Sequence, residues 1–425
     1  MKKAIFLIVV LTGVFLSSCG GNQGTKVTVT IATADGQASM PLSVAYQIED
    51  GEWEWLQPNA EAGYDFYVPA GKKRYGVAVR CGGLKYHVAL NYARAAIYQL
   101  TTADTTEPVF TCPADMKSAI VEISYDARAI AGAASVAIFT RKQTKKLVGV
   151  YSSNPKKVEF YPPGKHDLLF TAYSQAFSTQ PRDLLAARLV RNVNIEDGAE
   201  VELSLNGDDL VQWANVDSFS KTANWHGSYA VGLVTPSGAA FRGVLGSGND
   251  SGGPYARVAN AGSDDYYLLA AEINKLLPSG NKLNLKYFHY LSAASAGNLQ
   301  VRFPDPLPES YEADGSSGRW RFELEHFEGA RGLRLSSEVM GKTAVKVWVS
   351  PSWLQGLNGY TIPDLASVPG FAAFDNPADG YWGYCVLGGD ATLAEILSLP
   401  RGKNQLLPTG IEKPAEVTFS CIGGM

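Results

Sequence analysis

Arg319-Trp320-Arg321-Phe322-Glu323-Leu324-Glu325 alternates charged and apolar side chains without a fault. Successive side chains of an extended strand point to opposite faces, so Trp320, Phe322 and Leu324 share one face and the charges the other. A helix would scatter the same residues around its circumference. Lys26-Val27-Thr28-Val29-Thr30-Ile31, Lys157-Val158-Glu159-Phe160 and Ala344-Val345-Lys346-Val347-Trp348-Val349 repeat the pattern. The 43 Gly and 22 Pro residues are spread between such runs, as turns must be in a chain of many short strands. The pattern predicts an all-β protein with little helix. Ala391 to Leu399 is one short helix candidate, with Asp390 as cap and Pro400 as stop. Tyr266 to Leu277 fits either a helix or a strand, and its context favours the strand.

One stretch occurs twice. Phe66-Tyr67-Val68-Pro69-Ala70-Gly71-Lys72 returns, one residue shorter, as Phe160-Tyr161-Pro162-Pro163-Gly164-Lys165. An apolar strand follows each, Tyr75 to Val79 and Leu168 to Ala172. A strand and a small-residue turn precede each, Val27 to Gly36 and Ile120 to Gly132. A unit used twice predicts serial β-sandwich modules. The strand, Pro-Gly turn, strand pattern over 26–206 resembles carboxypeptidase-regulatory-like and other Ig-like modules, which implies serial Ig-like β-sandwiches and carries no catalytic residue over. Asn206-Gly207-Asp208-Asp209 and Asp305-Pro306-Leu307-Pro308 mark further changes of texture, the second reading as a Pro-stiffened linker. The expected organisation is 1–18 leader, 19–25 flexible tether, then β modules at 26–113, 114–207, 208–308 and 309–425.

The N-terminus has the form of an export signal. Lys2 and Lys3 precede an apolar run from Ala4 to Leu16, shorter than the roughly 20 residues that a bilayer core of about 30 Å requires. Leu16-Ser17-Ser18-Cys19 then resembles the lipobox of bacterial lipoprotein precursors. The resemblance implies that Cys19 carries the lipid and becomes the first residue. Two acyl chains hold a protein on a membrane where one is marginal. Gly20, where some bacteria use Asp to retain lipoproteins at the inner membrane, favours the outer membrane in a Gram-negative cell. The expected location is the cell envelope, lipid-anchored, periplasmic or surface-exposed. Gly20 to Gly24 reads as a coil.

With Cys19 acylated, Cys81, Cys112, Cys385 and Cys421 remain, an even number in an oxidising compartment. Three pairings are possible. Cys81–Cys112 and Cys385–Cys421 are favoured because each lies within one expected module. The net charge is −4 and no extended basic block occurs along the chain, so nucleic acid is not an expected partner.

No cofactor or metal is expected. The five histidines show no metal-ligand spacing, and no phosphate-binding glycine loop or calcium-loop pattern is present. Asp208 and Asp264 read as turn residues. Asn249-Asp250-Ser251-Gly252-Gly253-Pro254 resembles the nucleophile loop of chymotrypsin-like proteases, which would make Ser251 the nucleophile of a serine hydrolase. Asn249 departs from that pattern, and no histidine stands in the family's general-base context, so a polar hairpin loop is the favoured reading.

The aromatic residues carry the other expectation. Trp53 and Trp55 share one strand face, favoured as core over an exposed sugar platform. Trp353, Tyr360, Tyr381, Trp382 and Tyr384 lie in long loops or beside them and could line a ligand groove. The sequence therefore predicts a lipid-anchored envelope protein with a non-catalytic binding or structural role. Its expected partners are the membrane, through the anchor, and a glycan or another envelope protein.

Overall fold

The structure, a computed structural model, describes residues 24–32, 41–61, 63–81, 93–112, 118–140, 143–160, 163–219, 224–237, 240–324, 329–339, 343–374, 378, 380–397 and 415–424. The leader, Cys19 and the tether up to Gln23 lie outside them. The fold is all-β and sandwich-like, with two short α-helices among the described residues.

The strands fall into four sets. The first holds β1 (Thr25–Ala32), β2 (Ser43–Ile48), β3 (Glu54–Trp55), β4 (Tyr64–Val68), β5 (Arg74–Cys81), β6 (Ala93–Thr101) and β7 (Val109–Thr111). The second holds β8 (Ala119–Asp126), β9 (Ser135–Phe139), β10 (Thr144–Leu147), β11 (Tyr151–Phe160), β12 (Gly164–Tyr173), β13 (Leu184–Ile195) and β14 (Glu200–Ser204). The third holds β15 (Gln212–Val216), β16 (His226–Val234), β17 (Ala240–Asn249), β18 (Gly253–Arg257), β19 (Tyr266–Leu276) and β20 (Lys282–Ser292). The fourth holds β21 (Arg321–Glu323), β22 (Gly332–Val339), β23 (Thr343–Val349), β24 (Gly359–Thr361), β25 (Tyr381–Gly389) and β26 (Ala415–Gly424).

All four sets share one topology. In each, strands one and four pair antiparallel, and strands three, two, five and six form an antiparallel sheet in that order. A seventh strand runs parallel to the first as β7 beside β1 and β14 beside β8. In the third set it shrinks to a single parallel bridge, Val216 with Leu299. In the fourth set the first strand is flanked instead by the segment leading into it. Asp314 bridges Arg321 there, and Tyr311 stacks on Tyr384 with ring centroids 4.6 Å apart. Leu307 is buried and its amide donates to Ser420 Oγ at 3.0 Å, so the Pro-rich linker is packed rather than free.

The recurring Pro-Gly stretch joins strands four and five of the first two sets. Gly71 and Gly164 have φ of +84° and +122°, a region that side chains with a Cβ avoid. Tyr161 and Pro162 lie outside the described residues.

Three of the four-stranded sheets join edge to edge into one sheet of 12 strands. β20 pairs antiparallel with β26, so the third and fourth sets meet sixth strand to sixth strand. β23 pairs parallel with β6, which attaches the first set to the fourth. Hydrogen bonding thus runs through stretches 208–308, 309–425 and 26–113 without a break. The second set keeps its own sheet, whose outer face packs Phe139, Leu169 and Tyr173 against Tyr229, Leu245 and Tyr255 of the third.

Both disulfides form, Cys81–Cys112 and Cys385–Cys421. The first ties β5 to the residue after β7, and the second ties neighbouring strands β25 and β26. Tyr266 to Leu276 is the strand β19. The helix expected at 391–399 is α2 (Leu393–Leu397), after α1 (Pro351–Leu354). Its cap is Thr392 rather than Asp390. Thr392 Oγ1 accepts from the Glu395 amide at 3.2 Å, and Glu395 Oε2 accepts from the Thr392 amide at 2.8 Å, a reciprocal capping box. Asp390 instead accepts from the Glu416 amide on the neighbouring strand.

Candidate functional site

A groove of about 470 Å³ lies where the first strand set meets the fourth. Its floor is a row across three strands. Gln47 on β2 pairs with Gly76 on β5, and Gly76 pairs with Gln99 on β6. Gly76 has no side chain, so the two amides meet across it, Gln99 Nε2 donating to Gln47 Oε1 at 3.2 Å. The indole of Trp53 lies over the same glycine, where an added Cβ would stand 2.7 Å from the ring.

One wall is the turn between β2 and β3. Glu49 sits there at φ +54°, a conformation that costs a non-glycine residue about 1 kcal/mol or more. Its carboxylate offsets that strain by accepting from the Lys73 and Arg74 amides at 2.9 and 3.2 Å and from Arg74 Nε at 2.9 Å. Burial alone would raise the Glu49 carboxyl. The Lys73 amide and the Arg74 guanidinium and amide outweigh it and hold the group below its ordinary value. Arg74 also reaches Asp50 at 2.8 Å and lies over the Trp353 ring at 5.4 Å, which couples this wall to the opposite one.

The opposite wall is built by the long segment after β23. Ser350 caps α1 by accepting from the Trp353 amide at 3.1 Å, and Pro351 suits the first turn, where no amide is needed. This turn delivers Trp353. β24 delivers Tyr360, and the loop beyond it delivers Asp364. Leu365, Val368, Phe371 and Phe374 of that loop are buried on Ala45, Ala78, Ala95 and Ile97 of the first strand set, which anchors the wall.

The groove presents an indole face, side-chain amides, three carboxylates (Asp50, Glu52 and Asp364) and the Arg319 guanidinium. Two of its polar atoms, Gln99 Oε1 and the Tyr360 hydroxyl, are buried without a hydrogen-bond partner. A buried orphan of this kind costs about 1–3 kcal/mol, so a partner brought by a ligand would be strongly favoured. Burial pushes the Tyr360 hydroxyl well above its ordinary value, so it is a neutral donor and acceptor.

The structure brings together two of the five aromatic residues named from the sequence, Trp353 and Tyr360, and adds Trp53. Trp353 is 2% exposed and mainly supports the wall, leaving the half-buried Trp53 as the ring that is open to the groove. Trp382 and Tyr384 are buried in the core of the fourth set against Phe322 and Tyr311. Tyr381 is exposed at the start of β25 and does not line the groove. Trp55 is 49% exposed, not core, because β3 is a two-residue edge strand with nothing packed beyond it. Gln47, Gln99, Arg319 and Asp364 carried no sequence signal. Gly76 did, as a lone glycine inside the run Tyr75 to Val79, since such a residue marks a close approach to the strand.

Ser251 sits in the turn between β17 and β18, where its hydroxyl donates to the Asn249 side chain. No histidine hydrogen-bonds it among the described residues. Asp208 lies in a short turn capped by Asn206, and Asp265, beside Asp264, is buried against Arg191 at 2.5 Å. No cluster of three metal-ligating side chains occurs among the described residues, and none of their helices is long and apolar enough to cross a membrane.

Neither the protein-family models nor the curated proteins compared with this chain give a match.

Proposed function

We propose that this chain is a non-catalytic binding protein of the cell envelope, held on the membrane by lipid at Cys19, whose groove takes an uncharged or amino-bearing glycan. The observation that carries this reading is the pair of buried orphan atoms, Gln99 Oε1 and the Tyr360 hydroxyl, beside the Trp53 ring. A sugar ring has an apolar face that stacks on an indole and hydroxyls that serve amides and carboxylates. With Asp50 paired to Arg74, the lining keeps Glu52 and Asp364 against Arg319, an excess of negative charge that disfavours an anionic sugar. The anchor rests on Lys2, Lys3, the apolar run and Leu16-Ser17-Ser18-Cys19.

The test is retention of the purified protein on a panel of insoluble polysaccharides and immobilised oligosaccharides, with Trp53→Ala as the comparison. Loss of stacking removes about 0.5–1.5 kcal/mol, so the variant binds up to roughly tenfold more weakly. Wild-type protein that binds no glycan in the panel ends the glycan reading. Separately, Cys19→Ala releases the protein from membranes; a variant that still fractionates with them ends the anchor reading.

A further inference from the structure

We infer that the second sandwich carries an independent binding cleft for an acidic polysaccharide, formed by Lys145, Lys146, Lys156 and Lys157. The cleft measures about 400 Å³ and lies between β10 and β11. These are the free edges of the two sheets of that sandwich, β10 in the order β10-β9-β12-β13 and β11 in the order β11-β8-β14. Lys145 and Lys146 end the run Arg141 to Lys146, in which four of six residues are basic, and the fold brings Lys156 and Lys157 to them from a second strand.

The local geometry concentrates the charge. β11 breaks register between Ser152 and Lys156, and Ser152 Oγ donates to the Asn154 carbonyl at 2.6 Å inside the bulge. Bulges re-aim the side chains that follow them, and here Lys156 and Lys157 both line the cleft. Lys146 Nζ donates to the Phe177 carbonyl at 2.9 Å, which fixes its stem at the rim. Among the described residues Glu159 is the sole carboxylate in the lining, and Glu122 stands 3.9 Å from Lys157. No acidic residue occurs between Arg141 and Val158. In a chain of net charge −4 this is a strong local reversal of sign.

The first sandwich supplies an internal control. It has the same topology, and its equivalent edges, β3 and β4, carry Glu54 and Asp65. The fold therefore does not require lysine at these positions. Edge lysines also discourage strands from pairing with other chains. That role needs a charge on each edge, but not two lysine pairs bordering one concave surface. Lysine presents a hydrated point charge without the planar fork of arginine, which suits repeated weak contacts to carboxylate or sulfate groups along a polymer. The surface is concave, so it fits a narrow chain better than a flat bilayer.

The test uses the full chain with heparin (sulfated), polygalacturonate (carboxylated) and dextran (neutral) as probes, and with vesicles of phosphatidylcholine and phosphatidylglycerol. Both acidic polymers bind and dextran does not. Affinity falls on the order of tenfold or more as salt rises from about 50 to 200 mM, as release of ions from several contacts demands. Lys156→Gln with Lys157→Gln weakens binding about tenfold or more, whereas Lys72→Gln with Lys282→Gln, the same loss of charge at an exposed turn and an exposed strand end, leaves it unchanged. Should the first pair fail to fold, the wild type still decides. Bound heparin must then shield the four cleft lysines, but not Lys72 or Lys282, from an amine-acetylating reagent read by mass spectrometry. Equal weakening by both pairs, equal acetylation with and without heparin, or binding to the anionic vesicles without binding to either polymer would overturn the proposal. So would self-association of the cleft variant when the wild type binds no polymer, which would mark the lysines as edge guards. Failure of either site leaves the other reading untouched, since the two share no residue.

Discussion

Gln47 and Gln99 meet across the bare backbone of Gly76, their amides 3.2 Å apart, with the Trp53 ring resting on the same glycine. The groove floor exists because one residue in β5 has no Cβ. Gly76→Val should therefore expel the indole and part the amides, at a cost of about 1–3 kcal/mol for overpacking. Tryptophan fluorescence should shift red as Trp53 enters water, and glycan binding should be lost. An unchanged emission spectrum would show that the ring does not depend on this glycine.

Tyr360 separates binding from stability. Its hydroxyl is buried and unpartnered, so Tyr360→Phe should leave the melting temperature unchanged or raise it, since an unsatisfied buried group is removed. The same change should weaken glycan binding. Trp353→Ala should instead cost about 3–5 kcal/mol, as truncation of a buried large side chain does. Calorimetry on the two variants distinguishes a ligand group from a wall residue. Equal destabilisation by both would place Tyr360 in the wall as well.

The disulfides close loops with separations of 31 and 36 residues. Loop-closure entropy gives each about 3–4 kcal/mol. Replacing either pair by serine should lower the unfolding free energy by about that amount, read as a lower denaturant midpoint at unchanged slope, without changing the fold. A midpoint that stays in place for both would mean that the unfolded chain is already constrained.

His289 on β20 lies 3.2 Å from the Tyr287 hydroxyl and 3.8 Å from Glu416 Oε1. Burial outweighs the Glu416 carboxylate and holds the imidazole below its ordinary value of 6.5. Above 6.5 both folded and unfolded chains carry the neutral ring. Below it, the unfolded chain takes up the proton more readily, so stability falls until pH drops past the folded value. His289→Gln should flatten the decline of melting temperature in that window, and a slope identical to wild type would show that other groups set it.

Much of the fold is legible in period-two patterning because strand side chains alternate wherever a sheet has one face buried. Arg321 to Glu323, Lys26 to Ile31 and Ala344 to Val349 all lie in strands, and the disulfide pairs follow from proximity along the chain. The Thr392 cap was less legible, because Asp390 is an equally good capping residue in isolation and only its bond to the Glu416 amide on β26 removes it. The candidate site was half legible. Trp353 and Tyr360 announce themselves as loop aromatics, but Trp382 and Tyr384 look no different in sequence and lie in the core.

Local chemistry thus determined the strands and the turns with positive φ at Gly71 and Gly164, and nearness along the chain favoured the pairs Cys81–Cys112 and Cys385–Cys421 that the structure forms. Tertiary structure alone decided that four strand sets share one topology, because a hydrogen-bond pattern is carried by backbone and survives with few side chains in common. It also decided that β23 pairs with β6, which brings Trp353 and Tyr360 to Trp53 across more than 290 residues of chain. The same holds for Lys145 and Lys146 meeting Lys156 and Lys157. Lys145 and Lys146 end a short basic run, but only the packing of two sheet edges around one cleft adds Lys156 and Lys157 to it.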